Sequence, residues 1–82
     1  MILDEEAIML FRISKYDAVK AILQAEAANQ KQLAYNILQI IRRATRKEIE
    51  SSNYTKYYII NERDKKYLEG NRINCIETYS EE

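Results

Sequence analysis

Histidine, tryptophan and proline are absent from this 82-residue chain, and glycine and cysteine occur once each, as Gly70 and Cys75. The lack of histidine removes the usual general base near neutral pH and the commonest metal ligand. With one cysteine the chain can form neither an internal disulfide nor a structural zinc site of its own, which suits a reducing compartment. Cys75 is then expected to serve as a small buried hydrophobe in a strand. Without proline, and with little glycine, the sequence lacks its strongest turn signals, so long helices are allowed. No apolar run reaches the length of a membrane span. The opening residues MILDEEAIMLF carry acids where a secretory signal needs cations. A cytoplasmic protein is the expectation.

What is present is charge, and it is unevenly placed. Lysine plus arginine number 13 and aspartate plus glutamate 13, so the formal net charge is zero. Residues 1–28 hold three cations and five acids, residues 29–73 ten cations and five acids, and the remainder only Glu77, Glu81 and Glu82. The zero is therefore a sum of −2, +5 and −3. A central cationic segment between acidic ends marks either an anion-binding face or a surface that pairs with an opposite patch on a second copy.

The first fifty residues read as helix. Asp4 with Glu5 and Glu6 makes a favourable start, and Leu3, Ala7, Leu10, Phe11 and Ser14 fall along one face. Ser14 offers a second start, with Asp17 imitating the acid of a capping box. Tyr16, Val19, Ile22, Leu23 and Ala27 keep helical spacing up to the polar interruption Ala28–Gln32, where a turn is expected. Beyond it Leu33, Ile37, Ile40, Ile41 and Ala44 recur at three- and four-residue steps. Winding at about 100° per residue puts Arg42 and Arg46 opposite Ile37, with Arg43 and Lys47 on the flank. The composition changes after Asn53. Tyr54–Ile60 and Arg72–Tyr79 are rich in aromatic and β-branched residues and favour strand, with a turn at Gly70-Asn71. The expected fold class is α+β and mainly helical, with two or three N-terminal helices followed by a C-terminal β-hairpin. It forms a single small domain, helical over 1–52, with a β-hairpin or winged element over 53–82.

A helical reading of Tyr54–Leu68 is also open, and it leads elsewhere. With Ile40 and Ile41 closing one helix, Thr45-Arg46-Lys47-Glu48-Ile49 opening a second, and Ile60 and Tyr67 in the core of a third, residues 35–73 resemble a winged helix-turn-helix domain. Asn71 would hold the left-handed end and Ile73 would start the wing. The resemblance covers about half the chain. Asn53, Arg63 and Asp64 depart from the family's apolar pattern. It implies DNA binding, with Lys56, Tyr57, Asn61 and Arg63 near a major groove and Arg42, Arg43, Arg46 and Lys47 on phosphates.

Catalysis has little to stand on. The serines at 51 and 52 have no histidine to activate them, and the carboxylate pairs are accounted for by helix starts and solvated faces. No cofactor and no metal is expected. Seven tyrosines, four of them between Tyr54 and Tyr67, instead suit a binding surface. Tyr58 joins Tyr57 among the candidate contact residues. The apolar stripes from Val19 to Ala44 exceed what one hairpin covers, so self-association through helices, or docking onto a larger protein, is expected. The resulting expectation is a small non-enzymatic regulatory or inhibitor-like protein that acts by occupying a protein partner, of a kind suited to a phage or other mobile element. The alternative is a DNA-binding transcriptional regulator.

Overall fold

The computed structural model describes residues 9–79, with side chains described over 11–76. The helix start expected at Asp4–Glu6 lies outside these residues. Six elements follow in order: β1 (Met9–Ser14), α1 (Lys15–Ala27), α2 (Lys31–Ser51), β2 (Tyr57–Ile60), α3 (Glu62–Gly70) and β3 (Ile76–Tyr79). The three strands form one antiparallel sheet in the order β2-β1-β3. The chain is thus mainly helical with an antiparallel sheet.

The expected C-terminal hairpin is not formed. β2 and β3 pair with β1 and not with each other, and β1 lies in a stretch whose spacing predicts helix. The reason is visible in Phe11-Arg12-Ile13. Phe11 and Ile13 are buried while Arg12 between them is only half-buried, the period of two that a strand imposes. The same residues also fit a helical face when joined to Leu3 and Ala7, and the two periods cannot be separated over so short a run. A central strand takes hydrogen bonds on both edges, so it joins the distant segments that flank it.

Ser14 ends β1 and caps α1, its hydroxyl accepting from the Asp17 backbone N–H at 3.3 Å. The turn at Ala28–Gln30 falls where the polar interruption predicts it, with Asn29 left-handed at φ 61°. α2 then runs unbroken for 21 residues. Thr45 sits in its middle and opens nothing, so the helix-turn-helix layout is overturned at this point. The residues from 42 to 50 lack proline and glycine, and Ile37, Ile40, Ile41 and Ala44 hold the helix on the core. Ser52 stops it in a left-handed conformation at φ 56°.

Tyr54–Leu68 divides between strand and helix. β2 takes its first half, and Asn61 caps α3 by accepting from the Asp64 N–H at 2.7 Å. The left-handed residue after α3 is Arg72, φ 67°, and not Asn71, whose φ is −105°. α3 carries the chain across β1 from one edge of the sheet to the other. Its Leu68 is fully buried and joins Phe11, Ile13, Ile37, Ile40 and Ile60 in one hydrophobic cluster. Each such side chain contributes about 1.5–3 kcal/mol by leaving water. All three helices cover that face of the sheet. On the other face Arg12 stands between Ile59 and Ile76, which are about half exposed.

Candidate functional site

α2 places its side chains on three flanks. One meets the core through Ala34, Ile37, Ile41 and Ala44. A second faces β2 and α3, and there three hollows run end to end. The first, of about 350 Å³, lies between α2 and α3 and includes Asn36, Arg43, Arg63 and Tyr67. A small middle one of about 50 Å³ shares Arg43 and Asp64 with it. A third, of about 240 Å³, shares Ala44, Lys47 and Ile59 with the middle one and reaches Tyr57, Tyr58 and Ser51. Together they make a furrow along α2 from Asn36 to Ser51, about 22 Å long at the helical rise.

Its floor is partly apolar, from Ile40 and Ala44, with Ile59 of the β2 edge at its border. Its acids are engaged. The Asp64 carboxylate is buried and accepts from Arg43 Nη2 at 3.1 Å on both oxygens. Because one nitrogen makes both contacts, the remaining N–H groups of this half-exposed guanidinium stay open to the furrow. Glu48 accepts from Lys15 Nζ at 2.8 Å and from the Thr55 backbone N–H at 3.0 Å. Lys15 first, and then the Thr55 N–H, hold its carboxyl below the ordinary 4.5. Lys47 and Arg63, both exposed, have no carboxylate partner among the described residues. The furrow is therefore cationic over an apolar floor.

The sheet offers backbone groups there as well. Lys15 N donates to Lys56 O at 3.0 Å, which makes Lys15/Lys56, Ile13/Tyr58 and Phe11/Ile60 the hydrogen-bonded pairs. Tyr57 and Ile59 thus turn their backbone groups to the free edge of β2. Thr55 closes the first: its hydroxyl donates to Tyr57 O at 2.8 Å and accepts from Tyr57 N at 3.1 Å. Ile59 is left with an open N–H and C=O beside the furrow.

Of the residues expected from sequence to make contacts, Arg43, Lys47, Tyr57, Tyr58, Asn61 and Arg63 all line this furrow. Arg42 and Arg46 stand on the third, outer flank of α2, exposed and away from it. Lys56 is exposed just before β2, its carbonyl held by Lys15. Asn61, expected at a base edge, spends its side-chain oxygen on the α3 cap. Tyr58 faces the core side with Lys15 Nζ 5.3 Å from its ring, whereas Tyr57 faces the opposite side beneath Arg12 at 6.0 Å. Asn36, whose amide donates to the Tyr67 hydroxyl at 2.9 Å, and Gln39 complete the far end. Sequence reasoning passed over both; the i, i+3 and i+7 spacing of Asn36, Gln39 and Arg43 was the available signal.

Cys75 is half-buried and one residue short of β3, rather than fully buried within it. Burial, and then the nearby Glu69, push its thiol up to about 11, so it stays protonated at neutral pH. Among the described residues no three histidine, cysteine, aspartate or glutamate side chains gather as a metal site. No described helix is long and apolar enough to cross a membrane. No family model, curated protein or solved structure matches the chain.

Proposed function

We propose that the protein is a small non-enzymatic regulator that acts by binding a protein partner, and that the furrow along α2 receives an acidic, extended segment of that partner. One observation carries this reading. The furrow joins an apolar floor to two cations, Lys47 and Arg63, that have no counterion among the described residues, while the acids lining it are already engaged. A segment lying there pairs its backbone with Ile59 and its carboxylates with Lys47, Arg63 and the open side of Arg43, the strand-addition mode of peptide recognition. DNA reading is less well supported, because β2 replaces the first part of the expected recognition helix and Asn61 is committed to a cap.

Fluorescence anisotropy with a labelled peptide of alternating Glu and Leu tests the proposal. Binding should weaken as salt is raised and fall at least tenfold in Lys47→Glu and Arg63→Glu, but not in Lys20→Glu on α1. Absence of binding at low salt, or equal losses in all three variants, overturns it. Random duplex DNA in the same assay supplies the rival arm, and tighter salt-dependent binding of DNA than of peptide would also overturn it.

A further inference from the structure

The third flank of α2 carries exposed apolar residues beside Arg42 and Arg46, and the apolar residues continue onto α1. Tyr16, Val19 and Leu23 on α1, with Tyr35, Leu38 and Ile49 on α2, are each between 40% and 73% exposed. Their placement on a common face follows from contacts elsewhere. The Lys15–Glu48 ion pair fixes the flank by which α1 faces α2. A hollow lined by Asp17, Ala21 and Gln24 of α1 and by Ile73 fixes the opposite flank of α1 toward the α3–β3 connection. Ala18 and Ala25 point to the core. Turning each helix by about 100° per residue then leaves the two apolar stripes side by side on the outside of the α1–α2 pair, pointing away from the sheet. The six side chains expose roughly 600 Å² per protomer, at the top of what a lone monomer carries as its largest apolar patch.

We propose that a second copy of this chain covers that face, in an antiparallel four-helix arrangement about a two-fold axis perpendicular to α1 and α2. Area supports pairing with itself: joining two such faces removes about 1,200 Å² or more from water, the lower limit of a stable interface. Charge chooses the direction. The exposed charged residues on and beside the stripes include Glu26 near the α1–α2 turn, Arg42 at the middle of α2 and Arg46 one turn further on, none with an ion-pair partner in its own chain among the described residues. A two-fold axis along the helices would set α1 of each copy against α2 of the other and, with Lys15 level with Glu48, leave Glu26 facing Leu38. The perpendicular axis, passing between Leu23 and Leu38, instead brings Glu26 of each copy to Arg42 and Arg46 of the other, and Lys31 toward Glu50. A protein net neutral as a whole has no overall repulsion to overcome. This surface is separate from the furrow, so either can fail alone.

Sedimentation equilibrium of the full chain from about 1 to about 100 μM tests the pairing. The expected result is a dimer that Leu23→Glu and Leu38→Glu convert to a monomer with unchanged helical circular dichroism. Glu26→Lys alone, and Arg42→Glu with Arg46→Glu, should each weaken the dimer at least tenfold, and an equimolar mixture of those two proteins should restore it as a heterodimer. A wild-type monomer throughout the range overturns the proposal, including when that monomer binds some other protein through the same face. A dimer indifferent to Leu23 and Leu38 overturns it too, and a mixture that fails to pair rules out the antiparallel arrangement and with it the proposal.

Discussion

The furrow flank and the outer flank of α2 are made from similar residue types and put to opposite uses. On the furrow flank, Asn36 reaches Tyr67, Arg43 reaches Asp64, and Glu48 on the adjoining edge reaches Lys15 and Thr55. On the outer flank Tyr35, Leu38, Arg42, Arg46 and Ile49 have no such partners among the described residues. The contrast shows that charge density along a helix does not locate a binding surface. What distinguishes the flanks is which charges are already spent inside the fold. Substitutions in the core and at the engaged Asn36, Arg43 and Glu48 should therefore register as lost stability, and those at Lys47 and on the outer flank as changed association.

The largest effect belongs to Ile37, which is 1% exposed and sits at the centre of the cluster. Ile37→Ala should cost about 3–4 kcal/mol, read as a lowered urea midpoint with little change in slope. A loss below about 1 kcal/mol would mean that α2 is not anchored by its inner side. Next comes the Arg43–Asp64 pair. Asp64→Asn should cost about 1–2 kcal/mol, limited by the solvent exposure of Arg43. Arg43→Ala should cost a similar amount, because it strands a buried carboxylate. A double-mutant cycle should show the two losses to be less than additive by about 0.5–1 kcal/mol, and strict additivity would show that the contact carries no energy of its own.

How far these flanks were legible beforehand follows from period and length. α2 offered twelve residues of consistent 3.6-residue spacing from Leu33 through Ala44, and both its inner face and the exposure of Arg42 and Arg46 could be read from it directly. β1 offered one alternation, Phe11-Arg12-Ile13, too short to outweigh a helical pattern that overlaps it. The break of Tyr54–Leu68 into strand and helix rests on Asn61, a cap residue followed by Glu62 and Asp64, whose role as a helix start the reading of it as a contact residue leaves aside. Arg43 and Lys47 could be named as candidates from their spacing. Their different states could not, because Arg43 meets Asp64 across 21 positions of sequence and Glu48 meets Lys15 across 33. Such long-range pairs leave no local trace.

Glu48 allows the furrow flank to be probed by pH. Its folded-state carboxyl is held below the ordinary 4.5 by Lys15 and the Thr55 N–H, so the unfolded chain binds the proton more readily. The stability it contributes is present above that value and is lost as pH falls through it toward the folded-state value. Urea midpoints of the native protein should therefore decline more steeply below about pH 4.5 than those of Glu48→Gln. Parallel declines would mean that the Lys15–Glu48 contact is not formed in solution.

The smallest effect on the isolated fold is expected on the outer flank, at Ile49, which is 58% exposed. Ile49→Ser should change stability by no more than about 0.5 kcal/mol when the protein is dilute enough to be monomeric. The difference emerges only with concentration. If a second copy covers this face, raising the protein concentration stabilises the native protein by mass action, and its melting temperature climbs. Ile49→Ser should flatten that climb while Ile37→Ala, measured across the same range, keeps its slope at a lower temperature. Equal slopes in both variants would erase the distinction between the flanks. A slope lost only with Ile49 would show that the outer face of α2 contributes to assembly rather than to the fold.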